Sequence, residues 1–208
     1  MKLFKKIQEY ILPREVDFFQ GLQEQSILIK NIIDELHNIY ITKKSSDGNV
    51  KELIQNAQDI RREKLNELYQ VFITPVDKEA IGRAYINLDW VVMSIEHLEV
   101  ELKIYKIADL TEYETIINLL KEEMNHIHHG FEMLQKNDFD HFSKRVFSIV
   151  HCDNKLIEEY ARRVADHLDS NDLKMILTHK EILAQLKEIS KRIRICANDL
   201  EDMLFKMG

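Results

Sequence analysis

Glycine, proline and cysteine are scarce in this chain, and long apolar runs are missing. Five Gly and two Pro in 208 residues are too few breakers for strands joined by tight hairpins, so long helices are expected instead. The two cysteines, Cys152 and Cys196, form no Cys-x-x-Cys pair and no even framework in a short chain. Disulfide and zinc-binding cysteine frameworks lose their basis, and buried thiols in a reducing compartment are expected. No stretch reaches the roughly 18 apolar residues that a membrane-spanning helix requires. The opening MKLFKKIQEYILPRE has Lys2, Lys5 and Lys6 like the basic region of a signal peptide, but Gln8, Glu9 and Tyr10 break its apolar run, so a secretion signal is not expected and the cytoplasm is. Basic charge is also short: 29 Lys and Arg against 36 Asp and Glu give a net charge of -7. That balance works against sequence-independent nucleic-acid binding. The glycines stand alone, so there is no phosphate-cradling loop, and there is no Gly-x-Ser-x-Gly elbow. Cys196 falls on an apolar stripe, where it packs. The sequence is therefore expected not to be an enzyme, and no catalytic or cofactor-binding residue is assigned.

What is present is helical periodicity in a chain that is 45% hydrophobic and 31% charged. After Pro13, apolar residues recur from Phe18 through Leu22, Ile29, Ile33 and Leu36 to Tyr40, predicting a helix to about Thr42. Residues 43–50, KKSSDGNV, form a loop around Asp47-Gly48. A second helix is expected over 50–72, with Leu53, Ala57, Ile60, Leu65, Leu68 and Tyr69 inward. In FITPVDKEAI, residues 72–81, Thr74 can cap, Pro75 takes the first helical position and Asp77 the third. The third helix carries a long stripe from Ile81 to Leu102 and ends near Lys106; others are expected over 111–136, 139–168 and 172–205. Short connections between six such helices favour an antiparallel all-α bundle. Arg61-Arg62 and Arg162-Arg163 close corresponding helices before a turn and a stripe-bearing helix. This spacing points to one domain, 1–208, with half-repeats 14–106 and 110–206, each a three-helix unit.

Three stretches resemble the PhoU-like family associated with low-affinity inorganic phosphate transporters. They are PREVDFFQGLQEQS (13–26), LNELYQVFITPVDKEAIGRAYINLDWVVMSIE (65–96) and LAQLKEISKRIRICANDLEDMLFKM (183–207). The most specific signal is FITP followed by Asp and then Ile four residues later. The resemblance implies a six-helix PhoU-like bundle and a cytoplasmic regulatory or accessory protein that binds an inorganic phosphate transporter of the PiT type. It also implies peripheral membrane contact through that transporter. MKLFKKI, with lysines opposite Leu3, Phe4 and Ile7, is a candidate contact with the membrane or transporter, or a packed lead-in helix. Homo-oligomerisation is compatible with the pattern, although no apolar stripe is clearly left over after folding.

The resemblance also implies acidic Glu-x-x-x-Asp helix motifs, whose carboxylates one turn apart can jointly hold multivalent cations. The corresponding places here hold Ile54 and Gln58, Asp89 and Met93, His151 and Lys155, and Lys187 and Lys191. Shifting the first motif by one gives Gln55 and Asp59 but needs an indel within a helix. Of eight in-register positions only Asp89 is acidic, so the ancestral metal sites are expected to be lost and no metal ligand is assigned. The alternative function, a metal-binding helical bundle for iron or another transition metal, rests on KEEMNHIHHGFEM, residues 121–133. There Glu122, His126 and His129 share a face and Glu123 to His126 is a Glu-x-x-His step, with His128 beside them. A ferritin-type site needs two such steps and the sequence has one, so a solvated histidine face is expected. Asp89 and Trp90 interrupt the third stripe. An inward Asp89 needs a cation, and Arg62, Arg83, Lys187 and Lys191 are the candidates for a salt bridge replacing the metal.

Overall fold

The computed structural model describes residues 16–44 and 50–207. Among these the chain builds six α-helices, one 3-10 turn and no strand. They are α1 (Phe18–Tyr40), α2 (Val50–Gln70), α3 (Lys78–Tyr105), the turn Thr111–Tyr113, α4 (Glu114–Lys136), α5 (Phe142–Leu168) and α6 (Leu173–Met207). The all-α class and close helix packing expected from periodicity are what the chain adopts. MKLFKKI and residues 45–49 of the 43–50 loop lie outside the described residues. No helix among the described residues is long and apolar enough to cross a membrane.

The core pairs α1 with α4 and α3 with α6, while α2 lies against α1 and α3, and α5 against α4 and α6. Exchanging α1, α2 and α3 for α4, α5 and α6 leaves this set of neighbours unchanged. Phe18, Leu22, Tyr85, Ile95, Phe131 and Ile193 are among the side chains at its centre. Cys152 and Cys196 are both buried free thiols. Burial pushes the Cys152 thiol up to about 12 and Cys196 well above the ordinary range, so neither is ionised near neutrality.

Contacts between element ends define two poles. At one, the start of α1 meets the end of α4 through Gln135 Nε2 donating to Asp17 Oδ2 at 3.1 Å, and the start of α3 meets the end of α6 through Lys206 Nζ and Asp77 Oδ2 at 2.6 Å. At the other, Lys43 Nζ donates to the Ala108 carbonyl at 2.6 Å and Leu110 N–H to Tyr40 O at 3.0 Å, tying the end of α1 to the approach to α4. Between α3 and α6, Arg83 binds both the buried Asp199, at 3.1 Å, and Asp202, while Asn87 Nδ2 donates to Asp199 at 2.7 Å. Burial raises the Asp199 carboxyl, and these two partners act against that rise.

Three local expectations are corrected. Helix α3 starts at Lys78, capped by Asp77, whose carboxylate accepts from Ala80 N–H at 2.8 Å. Thr74 instead donates its hydroxyl to the Val76 carbonyl at 2.6 Å, and Val76 is buried, so the FITP stretch is held as a turn and Pro75 is not in the helix. Helix α2 correspondingly ends at Gln70, and Tyr69, expected inward, is 82% exposed. Helix α5 begins at Phe142, three residues later than expected, because His141 takes a left-handed conformation at φ 76°.

Candidate functional site

Two places, one at each pole, and a buried carboxylate between them hold the chemistry. The first pole carries the FITP turn. Phe72 is 95% and Ile73 79% exposed, and with Tyr69 and Phe205 (88%) they put large apolar side chains on one end of the bundle. The turn lies between two concavities. A cleft of about 560 Å³ is lined by Ile73, Thr74, Pro75, Phe18, Leu134 and Met207, among others. A groove of about 460 Å³ between α2 and α3 is floored by Leu65, Leu68, Gly82 and Ile86 and edged by Lys78, Glu79 and Arg83. Isolated exposed apolar residues are ordinary; here several gather at a turn beside these two concavities, of which the groove between α2 and α3 is mainly apolar.

At the opposite pole, Glu112 and Tyr113 in the 3-10 turn before α4 meet His167 from the last turn of α5 and His179 near the start of α6. Glu112 Oε2 lies 3.2 Å from His167 Nε2 and Oε1 lies 2.9 Å from His179 Nδ1. The Tyr113 hydroxyl is 3.3 Å from His167 Nε2 and in hydrogen-bond contact with His179 Nδ1. The two imidazoles stack with centroids 4.2 Å apart. Burial lowers His179 from its ordinary value, with Glu112 opposing, and raises the Tyr113 phenol, with Glu112 adding to that rise. The sequence alone assigns none of these residues a role. Their spacings, 55 residues from Glu112 to His167 and 12 from His167 to His179, match no short ligand motif; only the antiparallel return of α6 beside α5 brings them together.

The histidines singled out in the sequence disperse. His126 Nδ1 faces Arg145 of α5 at 3.3 Å, His128 Nδ1 pairs with Ser26 of α1 at 3.1 Å, and His129 turns to Glu132 at 3.0 Å. They are half-buried, which corrects the expected solvated face: α1 and α5 cover α4 on both flanks. Burial, with Arg145 adding to it, depresses His126, and burial likewise depresses His128. Glu123 does not join His126. It points into the core, fully buried, where Ser190 Oγ lies 2.8 Å from its Oε1 and 3.1 Å from Asp153 Oδ1. Burial pushes its carboxyl up to about 8. Its Oε2 has no hydrogen-bond partner among the described residues.

Of the positions where the resemblance places acidic motifs, Ile54 is core, Asp89 is buried, and His151, Lys155, Lys187 and Lys191 are exposed. Asp89 does have a cation, but a different one from those expected: Arg61 Nε stands 3.4 Å from its Oδ2. Burial raises the Asp89 carboxyl and the Arg61 charge opposes that rise. The expected candidates are engaged elsewhere, Arg62 with Asp59, Arg83 with Asp199, Lys191 with Glu188, and Lys187 over the Tyr160 ring.

No family model matches the chain. Among curated proteins it is similar to UPF0111 protein YkaA of Bacillus subtilis (strain 168), 25% identical over 211 residues, a match that covers 94% of this chain and 99% of that protein. The similarity thus runs the length of the bundle, from the first helix to the last.

Proposed function

We propose that this chain is a PhoU-like accessory protein that regulates inorganic phosphate transport by binding a PiT-type transporter from the cytoplasmic side, acting by docking and not by catalysis. The observation that carries this reading is the exposure of Phe72 and Ile73 in the FITP turn. That segment is the most specific part of the PhoU-like resemblance. Helix initiation does not account for it, because Asp77 caps α3 and the four residues before Val76 lie outside any helix. Side chains of this size held in water at a turn with its own internal hydrogen bond have their use in a partner's pocket, where buried aromatic anchors dominate binding energy. The full-length similarity to a UPF0111 protein supports the PhoU-like assignment along the whole chain.

Co-purification with a tagged PiT-type transporter in detergent tests the reading. Wild-type protein is expected to be retained. The Phe72→Ala/Ile73→Ala variant is expected to be retained at least about tenfold less, since truncating a hot-spot anchor costs about 2 kcal/mol or more and tenfold needs about 1.4 kcal/mol. Its melting temperature is expected to be nearly unchanged, because neither side chain contributes to the core. Equal retention of variant and wild type would remove the FITP turn from the interface.

A further inference from the structure

At the pole opposite the FITP turn, we infer that Glu112, His167 and His179 form a binding site for a divalent transition-metal cation of the Zn²⁺ class, clamping the start of α4, the end of α5 and the start of α6. The site does not depend on transporter binding and shares no residue with the FITP surface.

The geometry is the main argument. One ligand atom from each of the three residues lies within 4.8 Å of the other two. Zinc holds nitrogen and oxygen donors at about 2.0–2.2 Å, so the edges of a tetrahedron of ligands are about 3.3–3.5 Å. Glu112 Oε2 lies 3.2 Å from His167 Nε2 and its Oε1 2.9 Å from His179 Nδ1, each near that edge but on different oxygens, so a cation enters once the carboxylate turns one oxygen towards both rings. The nitrogens face inward on the carboxylate, His167 by Nε2 and His179 by Nδ1, as ligand atoms must. Two imidazoles and one carboxylate suit Zn²⁺, Co²⁺ or Ni²⁺, whereas Ca²⁺ and Mg²⁺ want oxygen donors only. The Tyr113 hydroxyl sits against His167 Nε2 and His179 Nδ1, so a cation displaces it from those nitrogens and leaves it outside the coordination sphere. Glu112 is about one-third exposed, which leaves the fourth position open towards solvent.

A hydrogen-bonded knot without metal is the competing account of the same contacts, and titration separates the two. Chelator-treated full-length protein is titrated with Zn²⁺ by calorimetry, and Co²⁺ is followed by its visible absorption. The site predicts one ion per chain, the intense absorption of four-coordinate Co²⁺ in the wild type, and a melting temperature raised by Zn²⁺. His167→Ala and His179→Ala should each weaken binding by more than the roughly 10–100-fold that loss of an outer-shell partner costs, and Tyr113→Phe should weaken it within that range. His151→Ala, on an exposed histidine, should change nothing. If an alanine variant fails to fold in chelator, His179→Gln and the wild-type Co²⁺ spectrum carry the decision. Absence of Zn²⁺ binding in the wild type, or equal affinity in the folded His167→Ala/His179→Ala protein, overturns the site.

Discussion

Between pH 6.5 and 8 the protein should lose about 2 kcal/mol of folding stability that a Glu123→Gln variant keeps, each tenfold change in proton affinity being worth about 1.4 kcal/mol. Glu123 comes from α4 and is met by Ser190 and Arg194 of α6, Asp153 of α5 and its own neighbour Glu122. Ser190 has one hydroxyl proton and stands between two carboxyls. When Glu123 is protonated it can donate to Ser190 Oγ, which donates onward to Asp153; when both acids are ionised the hydroxyl serves only one. Burial, with the Asp153 and Glu122 charges adding to it and the Ser190 hydrogen bond opposing it, raises the folded-state value from 4.5 to about 8. In the window between those values the folded protein holds a proton that the unfolded chain has released. The stabilisation is complete below 4.5, declines as pH rises, and is gone above 8. His126, His128 and His179 work in the opposite direction, because their folded values are depressed below 6.5, so their burial costs stability at acid pH and that cost fades as pH rises towards 6.5. Above 6.5 their contribution is level. In the difference between wild type and variant it cancels at every pH. Urea unfolding of both proteins at a series of pH values measures this difference. A gap that stays constant from pH 5 to 8.5 would show that Glu123 is ionised in the fold.

Gly21→Ala should destabilise the bundle by about 1–3 kcal/mol through overpacking, although the same change at an exposed helix site would add up to about 1 kcal/mol. A methyl group at Gly21 overlaps the Tyr85 hydroxyl. Tyr85 is fully buried and donates to the Phe18 carbonyl at 2.7 Å, so its ring has no free path of retreat. Gly82 is the contrast: the nearest atom to an added methyl is Leu68 Cδ2 at 3.4 Å, ordinary contact, and alanine there should be neutral or stabilising. The Tyr85→Phe change alone should cost about 1 kcal/mol for its lost hydrogen bond. Combined with Gly21→Ala it should cost less than the sum of the two, because removing the hydroxyl vacates the space the methyl needs. Thermal and urea unfolding of the single and double variants decide this. Strict additivity would mean that the two groups do not meet.

Helix number and order, and the inner faces of α3 and α6, were legible because a 3.6-residue period running from Ile81 to Leu102, or from Ile182 to Leu200, has few alternative solutions. The boundary at FITP was misread for a physical reason. Thr74 and Asp77 are both good caps, and Pro75 favours the earlier start, but burial of Val76 and the Lys206–Asp77 contact are tertiary and favour the later one. The partner of Asp89 shows the same limit at finer scale. Arg61 and Arg62 are adjacent in sequence but about 100° apart around a helix, given 3.6 residues per turn, so only one can face α3. Sequence adjacency also suggested that Glu123 and His126 act together, yet one faces the core and the other Arg145. The Glu112, His167 and His179 cluster was not legible at all, since it depends on where three helix ends meet.

Phosphate uptake into proteoliposomes containing a purified PiT-type transporter, measured with increasing amounts of this protein on the cytoplasmic face, tests the central claim most directly. A saturable change in uptake rate with the wild type, in either direction, that is absent with Phe72→Ala/Ile73→Ala is the expected result. Uptake rates that are identical with and without saturating wild-type protein would contradict it.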